Sequence, residues 1–171
     1  MEQKLPPPAG VLRRGGAWAL DVVLVAVLVS AGATGLMLAI GPTVRLGAGE
    51  GTAMLDTRMV IVNAVLAVVI SGSYFILSWR LFRASPAQRL LRLRVYGAME
   101  GEPLSWRQAV LRWAFLFPPF GILAALGSSL PVFSTLAWYL APVWYMFLLA
   151  TTILSTRRQG AHDRIAGSNV C

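Results

Sequence analysis

The sequence predicts an all-α membrane protein with four transmembrane helices and both termini cytosolic. A short amphipathic and hairpin-forming cytosolic segment is expected between helices 2 and 3. Three observations carry this reading. Of the 171 residues, 57% are apolar and only 13% charged, a balance foreign to soluble globular domains. The apolar residues are gathered into runs long enough to cross a bilayer. The basic residues behind the formal charge of +8 sit in the gaps between those runs. Membrane topology places them there, whereas a nucleic-acid-binding face would cluster them on a folded surface. No nucleic-acid partner is expected.

The chain is taken in order. Residues 1–12 carry three consecutive prolines, Pro6, Pro7 and Pro8, and read as an extended arm. The first membrane helix is predicted over residues 17–40, where Asp21 is the one charge. As a helix these residues span about 36 Å, enough to cross. Gly41-Pro42 ends the run. Arg13 and Arg14 precede it as a signal peptide's basic residues would, but Asp21 interrupts the apolar run and hydrophobicity continues to Ile40. It is therefore expected to stay as a membrane helix. Arg14 and Asp21 stand at i and i+7 and so share a helical face. The pairs Ser30/Thr34 and Ala31/Gly35 let a neighbouring helix approach closely.

Residues 43–58 form a glycine-rich loop with no strong pattern. The second helix is predicted over 59–79, with Asn63 as its strongly polar member, suited to an intramembrane contact with another helix or interfacial water. Residues 80–108 form a basic cytosolic segment. Within it, 86–91 reads as a short helix along the interface, and 91–95 alternates with period two. Gly97 to Gly101 make a turn, so 91–96 and 102–104 are expected to pair as a hairpin. Ser105-Trp106-Arg107-Gln108 has capping-box spacing and places a helix start at Ser105. Arg89, Arg92 and Arg94 are expected to face lipid headgroups, where each cation contributes ~1 kcal/mol.

Residues 113–156 contain no Asp, Glu, Lys or Arg. Gly127 to Pro131 divide this stretch into a third helix over 109–126 and a fourth over 132–154. Pro118-Pro119 distort the third and Pro142 the fourth. Trp138, Tyr139, Trp144 and Tyr145 make the fourth helix aromatic and mark it as a candidate partner interface. The tail covers 155–171. Placing the N-terminus, residues 80–112 and the tail on one side gathers every basic residue except Arg45 and Arg58, which makes that side the cytosol.

The residue inventory excludes much chemistry. One cysteine, Cys171, and one histidine, His162, permit no internal disulfide and no metal site needing two such ligands. His162-Asp163 alone falls short of a metal-dependent phosphohydrolase. No nucleophile–base pair, phosphate-binding glycine loop or paired catalytic carboxylates occur. No catalytic residues, metal or cofactor are expected, and the protein is not read as an enzyme.

Arg14 seven residues before Asp21 at the first helix, an arginine-rich centre, and His162-Asp163-Arg164-Ile165-Ala166-Gly167 near the end together resemble the RDD family. These bacterial membrane proteins are named for one arginine and two aspartates, matched here by Arg14, Asp21 and Asp163. The resemblance runs from about Gly10 to Val170. It implies residence in the bacterial cytoplasmic membrane, and a transport role is often suggested for the family. Two departures stand out. Ser85-Pro86-Ala87-Gln88 replaces a common Thr-Pro-Gly-Lys run, and Arg92 stands where glycine is usual.

A carboxylate at the depth of Asp21 or Asp163 needs a partner. Arg14, Arg112 or a tail arginine are the expected partners, fastening the tail and the central segment to the helices. The function expected is a non-catalytic accessory or structural subunit that packs against other membrane proteins or lipid, the expected partners being the bilayer and other membrane subunits or the chain itself. The alternative is an oligomeric translocator of an ion or small solute, with Asp21 on its path.

Overall fold

The computed structural model describes residues 9–41, 44–46, 53–55, 57–97, 102–117, 131–155 and 160–170. Helix α1 runs Val11–Ile40 from a Gly10 N-cap. It begins more than a turn earlier than expected and takes Arg13 and Arg14 into the helix. Its buried residues are Ala17, Asp21 and Val25, one stripe at i, i+4 and i+8. Its apolar surface points outward: 6% of its most apolar window is buried.

Strands β1 (Val44–Leu46) and β2 (Ala53–Leu55) pair antiparallel where only a loop was expected, with Arg45 opposite Met54. Three residues are too few for a period-two pattern to declare itself. Helix α2 (Thr57–Gly72) continues through a π-helical turn, Ser73–Leu77, into α3 (Ser78–Phe82). The rod packs antiparallel to α1. Gly32 lies where an added Cβ would come within 3.0 Å of Ile70 Cδ1, so the close approach falls at this glycine. Of the small pairs expected to allow it, Gly35 faces open space and Thr34 donates to the Ser30 carbonyl.

The short helix α4 (Pro86–Leu90) begins with a full capping box between Ser85 and Gln88, with Pro86 in the first turn. Strand β3 (Val95–Tyr96) follows, and here the expected hairpin is corrected. β3 pairs antiparallel with β4 (Asn169–Val170) of the tail, Val95 opposite Val170. What remains of the expected contact is the Gly97 N–H donating to the Glu102 carbonyl at 2.9 Å.

Helix α5 (Trp106–Leu116) starts at the Ser105–Gln108 capping box, as its spacing predicted. It is shorter than the expected third span and stops before Pro118, a residue that cannot continue the ladder. Residues 118–130, with the rest of that span and the expected break, lie outside the described residues. Helix α6 (Pro131–Leu154) passes through Pro142, and α7 (Ala161–Ala166) leads into β4.

Among the described residues, two helices, Val11–Ile40 and Arg58–Phe82, are long and apolar enough to cross a membrane, and Tyr139–Leu154 is a shorter apolar stretch. The second, like the first, is barely covered by protein, with 11% of its window buried. Exposed Val23, Val27, Leu38, Ile61, Val65 and Val143 make these faces suited to hydrocarbon. The architecture is that of a mostly helical membrane protein. Its packed core lies at the end where α1 begins, around Phe75, Trp79, Leu93, Val95, Leu104 and Ala109. Phe75 stacks on Phe117 with centroids 4.3 Å apart.

Candidate functional site

Two buried carboxylates organise this end of the molecule, each 1% exposed. Asp21 projects from α1 toward the π-helical turn and the start of α4. The Tyr74 hydroxyl donates to its Oδ1 at 2.7 Å and the Ala87 N–H donates to the same oxygen at 3.2 Å. Ser85 Oγ donates to Oδ2. Each donor has a local cause. Tyr74 lies in the π turn, Ser73–Leu77, where the helix carries one extra residue in its turn. The capping box fixes Ser85, whose Oγ accepts from the Gln88 N–H while donating to Asp21. The first turn of α4 leaves the Ala87 N–H without a helical acceptor, and Asp21 supplies one.

Asp163 sits in the first turn of α7, where a carboxylate complements the helix dipole. Arg112 Nη1 lies 3.0 Å from Oδ1 and Arg14 Nη2 lies 3.2 Å from Oδ2. His162 Nε2 is 3.4 Å from Oδ1. Arg112 also donates to Ser168 Oγ at 2.9 Å, and its guanidinium lies over the Trp79 ring, 4.9 Å from the centroid. Trp79 Nε1 donates to Gln88 Oε1 at 3.1 Å. The two carboxylate centres are thereby joined through Trp79 and the α4 capping box.

Burial would raise the Asp163 pKa, but Arg112, His162, Arg14 and a backbone hydrogen bond outweigh it and hold the carboxyl below its ordinary value. Burial pushes the His162 pKa down from 6.5 to about 4, against the pull of Asp163. Near neutral pH the described residues of this cluster therefore include a carboxylate, two guanidiniums and a neutral imidazole.

The residues singled out in the sequence separate here. Arg14, Arg112 and Asp163 come together as two ion pairs that share the buried Asp163 carboxylate. The expected arginine partner for Asp21 is corrected. Among the described residues the ion pairs of this end run to Asp163, while the α3–α4 turn delivers uncharged donors to Asp21. Asn63 is half-buried on α2. Arg89, Arg92 and Arg94 are exposed, and Arg89 lies over the Phe82 ring at 5.1 Å. Of the aromatic residues expected to meet a partner, Tyr139 is 73% exposed, and the Trp138 side chain lies outside the described residues.

Trp144 and Tyr145 instead turn inward. They donate to the Phe115 and Leu116 carbonyls, each at 3.1 Å, and so satisfy the last turn of α5. Sequence reasoning missed Tyr74, Ser85, Gln88 and Ser168. Ser85 and Gln88 carried a signal, the same Ser-x-x-Gln spacing that was read at Ser105.

What this arrangement does chemically is bind the chain to itself. The tail is held by Asp163, by Ser168, by the Gln108 Nε2 bond to the Gly167 carbonyl at 3.2 Å, and by the β3–β4 pair. Among the described residues no group of three or more His, Cys, Asp or Glu side chains is placed to hold a metal.

The family model described as the RDD family matches residues 8–167. No curated protein and no solved structure matches the chain.

Proposed function

The chain belongs to the RDD family, and from that premise we propose that it is a non-catalytic accessory or structural subunit of the bacterial cytoplasmic membrane. It crosses the bilayer four times with both termini in the cytosol, and it packs its apolar faces against other membrane proteins and lipid. The observation that carries this reading is where the two buried acids direct themselves. Asp21 and Asp163 are both held by donors of this chain, and between them they fasten α1, the π turn, α4, α5 and the tail. Groups committed to one another in this way favour a fixed arrangement over turnover of a substrate.

The hydroxyls within the apolar helices point the same way. Thr34, Ser71, Thr151 and Thr152 donate to carbonyls of their own helices. The outward helix faces remain apolar, which suits contact with lipid or another span.

The test is extraction of the tagged protein at native expression in a mild detergent, with mass spectrometry of what accompanies it. A membrane protein of different sequence, present at fixed stoichiometry, is the expected result. A homo-oligomer free of companions contradicts the accessory role and favours translocation.

A further inference from the structure

Between α1 and the α2–α3 rod lies an open groove of about 450 Å³. Leu28 of α1 lines one side, and Val69, Leu77 and Phe82 of the rod line the other. All four are exposed, so the groove opens sideways through faces that suit hydrocarbon. Its polar lining comes from the π turn and the residue that follows it. Tyr74 lends its ring, with its hydroxyl committed to Asp21. Ser73 begins the π turn and Ser78 comes directly after it.

These two serines depart from the other hydroxyls of the apolar helices. A serine there ordinarily donates to a carbonyl three or four residues back, as Ser71 does to Val68. Among the described residues nothing accepts from the Ser73 or Ser78 hydroxyl, although both residues line the groove. A hydroxyl facing hydrocarbon without an acceptor is costly. The groove therefore suits an apolar occupant that brings an acceptor oxygen with it. Its dimensions narrow the choice. Residues 69–82 cover about 20 Å of helix. Spread over that length, the groove leaves roughly 20 Å² in cross-section. A helix, ~10–12 Å across, needs several times that area, whereas a single hydrocarbon chain fits. The end at Phe82 is the polar one, since the Arg89 guanidinium lies over that ring at 5.1 Å. A head belongs there, and a tail belongs toward Leu28 and Val69.

We propose that this groove is a lipid site, in which one acyl chain of a glycerophospholipid lies along Leu28 and Val69 and its ester carbonyls accept from Ser78 and Ser73. Recognition is of the ester and the chain, so a zwitterionic headgroup suffices. The site differs from the exposed arginines that follow α3, which meet headgroups without holding a chain. The inference rests on membrane residence and is independent of the accessory role.

Ether lipids supply the test, because they keep the chain and the headgroup and lack the ester carbonyl. The full-length protein is equilibrated with vesicles of equimolar ester-linked and ether-linked phosphatidylcholine of one chain length. Retained lipid is read by native mass spectrometry. The expected result is one ester lipid per chain, retained about fivefold over the ether lipid, the scale of a net hydrogen bond. Ser73→Ala combined with Ser78→Ala keeps a bound lipid but loses the preference for the ester. Val69→Trp fills the groove and lowers retention about tenfold, with helical circular dichroism unchanged. If Val69→Trp does not fold, Leu28→Trp fills the same groove from the α1 side and is read identically. Equal retention of both lipids by the wild type, a preference that survives in the serine variant, or retention unaffected by the filling variants overturns the proposal.

Discussion

Asp163 is the residue on which most depends. Removing it leaves Arg112 buried opposite no anion, and breaking a buried pair in this way costs about 3–5 kcal/mol. Asp163→Ala is therefore expected to lower the unfolding midpoint in detergent and to expose the Gly167 and Ser168 amides to hydrogen exchange. Protection equal to wild type would remove Asp163 as the fastening of the tail. The pH dependence belongs to its neighbour. The His162 pKa is depressed in the folded state, so between pH 6.5 and about 4 the unfolded chain binds the extra proton and stability falls as pH falls. The Asp163 pKa is also depressed, so its contribution is lost only below the ordinary carboxylate range. Unfolding midpoints measured from pH 7 to pH 4 should decline in the wild type, and His162→Gln should flatten that decline. At this scale the sequence was half legible. Helical spacing put Arg14 and Asp21 on one face, and that holds for the backbone. Which acid each side chain meets is decided by Asp163 and Ser85, 149 and 64 residues away in the chain, beyond the reach of any local pattern.

At the scale of elements, the turn from α3 through α4 to β3 does the most. Ser85 both caps α4 and donates to Asp21, whereas Ser105 caps α5 alone. Losing a cap costs about 0.5–2 kcal/mol, and losing a hydrogen bond to a charged acceptor costs about 1.5–3 kcal/mol more. Ser85→Ala should thus destabilise the protein clearly more than Ser105→Ala, and equal midpoints would detach Ser85 from Asp21. Arg92 has φ 53°, the left-handed region. A side chain held there costs on the order of 1 kcal/mol. Glycine adopts this conformation without that cost, so Arg92→Gly is expected to raise the midpoint slightly; a lower midpoint would contradict it. Strand β3 was legible from its alternation, but its partner was not. Residues 102–104 lie nearer along the chain, yet β4 arrives already positioned by α7 and the Asp163 cluster.

The whole molecule is a set of apolar helices tied at one end. Membrane class was legible because composition and the placement of arginines are global properties. The tie was legible in part. A buried carboxylate's need for a partner pointed to Arg14 and Arg112, which do meet Asp163, whereas the donors to Asp21 are single side chains far along the chain. The central claim is that Asp21 and Asp163 serve this tie and not the passage of an ion. Its most direct test is flux of protons and monovalent cations through liposomes holding the purified full-length protein, compared with Asp21→Asn. We expect flux no greater than that of protein-free liposomes from either, with the variant less stable to heat. Cation or proton flux that the wild type supports and Asp21→Asn abolishes, in protein that remains folded, would contradict it.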